Sequence, residues 1–324
     1  MIDLVTIGWL TIDDIVLPNA TCQKQVIGGG ALYSAIGASI WHDGVGLHSV
    51  TGEKYLETAT NEIRQRGLDI TGLNGIAGSG LELWVLHETE TDKQQIPKLT
   101  SSTAEEMDSG RKPLPEAYHH SRGFHIAPQT PASSIAHVKY LSSLPSAPII
   151  TLDILADAYV EASQYLDLKF LPSVTAFMPS QEEVFRIWHP SNLSDWMQEQ
   201  SATYRRCLAV KMGGEGSLVC EGPHASVFHI PAFPVRALDT TGAGDSYCGG
   251  FLAGLVAGRP IVECAAMGTV SASFVVQAFG ALATPRPTAT ERDARFKSVL
   301  QGITERRRQK DDRRVNKTKP RKTG

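Results

Sequence analysis

LDTTGAGDSYCGGFLAGLVAG, residues Leu238 to Gly258, is the stretch whose reading decides the rest of the chain. Gly242-Ala243-Gly244 is followed directly by Asp245, and then by an apolar run that includes Phe251, Leu252, Leu255 and Val256. With no branched side chain in the turn, its amides can come close to a ligand. A helix beginning here leaves its first amides unpaired and turns its positive dipole end outward, which makes an anion site, most simply one for phosphate. In this reading the amides of Gly242, Ala243 and Gly244 hold the anion, and Asp245 accepts a proton from a hydroxyl beside it. A plainer role fits the same residues: Gly-Ala-Gly eases tight helix packing, and Asp is common in a first helical turn.

Outward from this turn, the chain alternates short apolar runs with helical segments. Leu4–Gly8 suits a buried strand, and Thr11–Leu17 carries Asp13 and Asp14 between apolar residues. Gly28-Gly29-Gly30 precedes Ala31–Ile40, a run suited to a buried helix. GxGxxG and Gly-Lys are both absent, which excludes a dinucleotide fingerprint and a Walker A loop. Beyond the strand and turn His48–Gly52, the spacing predicts a polar helix over Glu57–Arg66, a strand over Leu81–Thr89, and a mobile loop to about Asp108. Phe124–Ala127, Ile149–Asp153 and Val174–Met178 then give the βαβ rhythm of a parallel sheet, whose ligands collect at the carboxyl ends of its strands. Asp153 stands at one such end. Cys207–Met212 and Ser217–Cys220 flank a glycine turn at Gly213–Gly216, and Glu263–Phe279 and Ala289–Leu300 complete the helices.

At 324 residues, the chain is long enough for one large α/β core with a small appendage. MIDLVTIGWL has no basic leader, and no apolar run nears the ~20 residues of a membrane span. The five cysteines are scattered, odd in number and free of any CxxC pair, so they read as reduced core thiols in the cytoplasm, with no zinc site. Residues 303–324 carry ten Lys and Arg against Glu305, Asp311 and Asp312, a balance of +7 that leaves −10 for the rest. Such a tail reads as a disordered, solvated extension, and the acidic body argues against nucleic acid as a partner.

Asp239-Thr240-Thr241-Gly242-Ala243-Gly244-Asp245 resembles the signature of the ribokinase-like (PfkB) carbohydrate kinases. The resemblance covers residues 2–300, more strongly in the second half. It implies a kinase domain over 1–302 with the ribokinase-like αβα sandwich: a central, mostly parallel sheet, and a small β lid from strands near 10–27 and 81–98. It implies transfer of phosphate from MgATP to a hydroxymethyl group of a sugar or sugar-like molecule, with Asp245 as base and the Gly242–Gly244 amides on the migrating group. Asp13, five residues after Gly8, falls where the family contacts sugar hydroxyls, with Asp14 as its solvent-facing neighbour. Gly28 and Gly29 match a diglycine that meets the sugar, and Tyr33 stands where Asn is usual. Ser180 replaces Asn in the element that organises magnesium, while Glu183 is in place. Lys211, Gly213, Gly216 and Thr240 match the nucleotide side, and Asp239 lies where some members hold a monovalent cation nearby.

Family members commonly show Asp-Pro-Asn at Asp153, where this chain reads Asp153-Ile154-Leu155. The departures at Tyr33, Ser180 and Leu155 leave two other readings open. One is a nucleoside kinase of the same fold, with Tyr33 stacking on the base; the other is a catalytically lapsed member acting as a binding or scaffold protein. A small-molecule substrate is the expected partner, a homodimer is among the assemblies allowed, and no membrane is involved.

Overall fold

In the computed structural model, which describes residues 2–89, 93–155, 163–223 and 226–306, the apolar runs become strands of one large sheet. The chain opens on β1 (Leu4–Trp9), leaves the core for β2 (Thr11–Val16) and β3 (Cys22–Gly28), and returns through α1 (Gly30–Ser39) to β4 (Val45–Gly52). Next come α2 (Glu53–Gln65), β5 (Asp69–Ile76), β6 (Leu81–His87), β7 (Lys93–Pro97) and α3 (Ala104–Gly110). The middle of the chain supplies β8 (Gly123–Ile126), α4 (Pro131–Ser142), β9 (Ile149–Leu152) and β10 (Ala176–Phe177). It continues through α5 (Gln181–Trp188), α6 (Leu193–Tyr204), β11 (Cys207–Lys211), β12 (Ser217–Glu221) and β13 (Val227–Ile230). The last elements are α7 (Ala243–Val256), α8 (Ile261–Val275), α9 (Ala289–Gln301) and β14 (Thr304–Arg306).

Among the described residues, the large sheet runs β14-β13-β12-β11-β10-β9-β8-β1-β4-β5. It is parallel from β11 to β5 and antiparallel from β11 to β14. Because strand side chains alternate, each strand feeds two apolar layers. Leu208 and Val210 pack with α4, α5 and α6, whereas Cys207 and Ala209 pack with α7 and α8. The result is the expected αβα sandwich. The second sheet, β3-β2-β6-β7, is separate from the first and buries Ile15, Leu83 and Val85. Among the described residues, no helix is long and apolar enough to cross a membrane.

Several local expectations give way to longer-range structure. The stretch read as a mobile loop contains β7 and α3, and α3 is fixed by a capping box between Thr103 and Glu106. Asp14 is not solvent-facing. It is buried, lies 2.8 Å from Lys98 and accepts the amide of Gln25. Cys22 is exposed on β3, so four of the five thiols are core residues. Helix α2 starts at Glu53, four residues ahead of expectation. Past the expected boundary at 302, Thr304–Arg306 pairs with β13 and extends the sheet, while the remainder of the basic tail, 307–324, lies outside the described residues.

Helices α1 and α7 meet backbone to backbone. A Cβ at Gly249 would overlap the carbonyl oxygen of Ser34, and one at Gly37 would overlap that of Ser246. Gly249→Ala is therefore expected to cost about 1–3 kcal/mol by overpacking, read as a lower urea midpoint at unchanged slope. Gly214→Ala, with open space around it, should stay within about 0.5 kcal/mol of the parent. Equal midpoints for the two variants would remove the close approach from the account.

Candidate active site

The packing of α1 on α7 brings two helix N-termini to one cavity. Its volume is about 420 Å³, and its walls include Asp13, Gly29, Gly30, Tyr33, Thr241, Gly242 and Asp245. Asp245 lies in the first turn of α7, half-buried, with Oδ1 close against Gly30, where a Cβ would stand 2.8 Å from it. Gly29, the N-cap of α1, has φ 101°, and its neighbour Gly30 gives the second bare stretch of wall. The glycine pair on the cavity is thus Gly29-Gly30, one residue along from the expected Gly28-Gly29. Gly28 does something else: its missing Cβ leaves room for the Asp13 carboxylate.

Tyr33 is 2% exposed, and its ring lies against Gly242, where any Cβ would overlap it. That placement packs the ring on the turn that opens α7, and Tyr33 also lines the cavity. The hydroxyl has no hydrogen-bond partner among the described residues. Burial first, and then the charges of Asp13, Asp239 and Asp245, push its pKa well above the ordinary tyrosine range. It therefore remains a neutral hydroxyl, able to donate.

On the other flank of the turn stands a cation. Lys211 ends β11, bonded through its amide to Pro179, and its ammonium pairs with the Asp153 carboxylate. A Cβ at Gly244 would lie 3.6 Å from Lys211 Nζ, which places this charge beside the anion turn. Burial is the largest single influence and works against the ammonium, but Asp153 and the other groups around it, Cys248, Glu183 and Asp245, together outweigh it and hold Lys211 above the usual lysine range. Of the three amides expected to face an anion, that of Ala243 donates to the Thr240 carbonyl at 3.3 Å. Gly244, next to Lys211, is the better-placed member. Gly213 (φ 56°) and Gly216 (φ 94°) form the tight turn after β11, and Thr240 is half-buried in the loop leading to α7.

Glu183 and Asp239 lie on opposite flanks. Glu183 is the third residue of α5 in a capping box with Ser180, whose amide donates to Oε2 at 2.6 Å. Burial, and then Asp153, push the Glu183 carboxyl up to about 8, while Lys211 opposes the rise. Among the described residues, no cluster of three His, Cys, Asp or Glu could hold a metal alone. Glu183 fits magnesium as one oxygen donor, with water and phosphate completing the octahedron. Asp239 Oδ1 accepts the Thr241 amide at 2.8 Å and lies 3.3 Å from His87, whereas its buried Oδ2 has no hydrogen-bond partner among the described residues. That oxygen fits a monovalent cation.

Other functional positions escaped the sequence. Trp9 forms part of the cavity wall and donates from Nε1 to Asp108 at 2.6 Å. Asp108 also faces Arg111 at 3.4 Å, and Arg111 donates to Gln129 at 2.8 Å. Leu81, Leu83, Pro97, Pro128 and Leu155 make the rest of an apolar wall, with Gln95, Ser101 and Ser102 at its edge. The alternation of LELWVLH could have placed Leu81, Leu83 and His87 on one face; nothing local ties Trp9 to Asp108. A more open hollow of about 510 Å³ at Glu62, Arg66 and Arg286 shares no residue with this cavity. Its arginines donate to the carbonyls of Thr284, Gln65 and Arg66, which makes them staples of the fold.

A profile of the pfkB family carbohydrate kinases matches residues 1–289. The chain is 27% identical over 282 residues to a cytidine kinase of Thermococcus kodakarensis, covering 86% of this chain and 98% of that relative. Among solved structures, a nucleoside kinase of Methanocaldococcus jannaschii, an archaeal member of the ribokinase family, superposes with a TM-score of 0.69 at 19% identity. That match spans 91% of this chain and 98% of the other. A nucleoside kinase of Burkholderia thailandensis in complex with ADP-inosine reaches 0.72 at 15% identity, spanning 92% and 96%. Both structural likenesses speak for the fold.

The buried pair beside the turn makes a thermodynamic prediction. Lys211→Met strands the Asp153 charge and should lower stability by about 3–5 kcal/mol. The double variant Lys211→Met/Asp153→Asn should recover most of that loss in the same urea titration. A double variant no more stable than the single one would show that the pair is not coupled.

Proposed function

Because the chain belongs to the pfkB family of carbohydrate kinases, we propose that it transfers the γ-phosphoryl group of ATP to the hydroxymethyl group of a nucleoside. The observation that carries the choice of acceptor is the apolar share of the cavity lining, Trp9, Leu81, Leu83, Pro97, Pro128 and Leu155, present beside the carboxylates of Asp13 and Asp245. A free sugar presents hydroxyls on all sides and would bury them against this wall without partners, at a cost. A nucleoside offers both kinds of surface: its hydroxyls would meet Asp13 and Tyr33, and its flat base would lie on the apolar side chains, with Gln95 and Ser102 available to its polar edge. The cytidine kinase relative and the ADP-inosine complex of a structural neighbour support the same reading.

Asp245 would accept the hydroxymethyl proton as that oxygen bonds to the γ-phosphorus. The bond from phosphorus to the bridging oxygen breaks, and ADP leaves with its electron pair. Little covalent work falls to the protein, so positioning and charge dominate. The Gly244 amide and Lys211 would stabilise the charge of the migrating group, and Asp13 would accept hydrogen bonds from the sugar hydroxyls. Magnesium, when bound, neutralises charge on the phosphates; Glu183 would hold it, and Asp239 a monovalent cation. The second sheet contributes Leu81, Leu83 and Gln95, which would exclude water from the reacting atoms.

Two measurements test this reading. Asp245→Asn should lower kcat by about 10²–10⁴-fold, with ATP affinity within about threefold; retained turnover would overturn the assignment of the base. In a screen of cytidine, inosine, adenosine, ribose and fructose, the best nucleoside should exceed the best free sugar in kcat/KM by about 100-fold, as burial of a base on an apolar wall implies. Equal or better use of a free sugar would refute the nucleoside reading.

A further inference from the structure

Strand β6 presents Leu81, Leu83, Val85 and His87 to one side, as its alternation requires. The first two line the cavity and Val85 is buried in the small sheet. His87, the last of the row, reaches the turn that precedes α7. Its Nε2 lies 3.3 Å from Asp239 Oδ1 and 3.4 Å from Thr241 Oγ1, and the side chains of His87 and Asp239 are 3% and 1% exposed. The contact therefore bridges two bodies, the small sheet on one side and the Asp239–Thr241 turn on the other. A carboxylate this buried needs partners. Its Oδ1 has two, the Thr241 amide and His87; its Oδ2 has no hydrogen-bond partner among the described residues.

From this juxtaposition we infer that His87 is a positioning residue: it makes the order of the anion turn depend on the small sheet lying closed over the cavity. The inference rests on the phosphotransfer reading given above. Asp239 orders the Thr241 amide, and Thr241 leads directly into Gly242, Ala243 and Gly244. When the small sheet lifts, His87 leaves Oδ1, and water competes with the Thr241 amide for the buried carboxylate. Asp239 then turns toward that water, the Thr241 amide loosens, and the turn loses the arrangement that phosphoryl transfer needs. Transfer is thereby confined to the closed state, with the acceptor enclosed and water excluded.

The test compares full-length wild-type protein with His87→Gln, long enough to donate to Asp239, and His87→Asn, polar but too short to reach it. In His87→Asn, amide hydrogen exchange should rise about tenfold or more over both 81–87 and 239–244. Its kcat should fall about tenfold with the ATP KM within threefold, as a small misplacement of the turn implies. His87→Gln should restore both readouts toward wild type. Faster exchange confined to 81–87, or a kcat equal to that of wild type, would overturn the inference. If the wild-type chain phosphorylates no acceptor, it is the functional reading that fails, and hydrogen exchange still decides whether the sheet and the turn are coupled.

Discussion

The close approach of α1 to α7 is the constraint on which the site depends. Their contact is made with backbone, Gly37 against Ser246 and Gly249 against Ser34, so the two helix axes come nearer than larger side chains would allow. The same geometry continues to the N-terminal ends, where Gly30 lies next to Asp245 and Tyr33 covers Gly242. Both helices therefore open their positive ends toward one cavity, with the carboxylate of Asp245 between them. A Cβ at Gly37 or Gly249 would force these ends apart, and it is their proximity that makes two ordinary helix starts into a site.

Charge differs between the two sides of the turn that opens α7. On the cavity side lie Asp13 and Asp245, and their charges, with that of Asp239, help to keep the Tyr33 hydroxyl neutral, an arrangement that in the proposed reading suits alcohols, which donate to carboxylates. On the other side the ammonium of Lys211 lies near Gly244, with Asp153 holding it. An acidic body repels a nucleotide at long range, so in that reading this local cation would make the turn hospitable to phosphate. Burial of Lys211 with Asp153 also keeps the ammonium in one orientation, which a solvated lysine would not do.

What could be read from the sequence was what is local in it. Asp245 and its glycines form a contiguous string, and the strands of the large sheet announce themselves as apolar runs, whereas Asp13 was singled out by the family resemblance, five residues after Gly8. The second sheet was expected from the family resemblance, with strands near 10–27 and 81–98, and appears as β2, β3, β6 and β7. Residues whose role depends on distant partners were not legible. Asp14 reads as a surface acid until Lys98 folds over it, and nothing next to Trp9 announces that Asp108, far along the chain, accepts its indole N–H. The order of the segment before Asp108 comes from pairing with β6 and from a cap at Thr103, and Thr304–Arg306 becomes a strand only because β13 offers an edge.

The three departures from the family pattern bear on whether the chain has lost its chemistry or changed its substrate. Ser180 and Asn are near-equal helix caps. Ser180 accepts the Glu183 amide at 3.2 Å, so the substitution preserves the position of Glu183. Leu155 removes a polar side chain but adds to the apolar wall of the cavity. Tyr33 fills the space above Gly242 and lines the cavity with a neutral hydroxyl. Two of the three changes thus fall on residues that line the cavity, and the third is conservative, while Gly242, Gly244, Lys211 and Asp245 remain together at the turn that opens α7. In the proposed reading, substitutions that gather on the cavity and spare the turn are what a change of acceptor would leave, whereas loss of function gives no reason for that distribution.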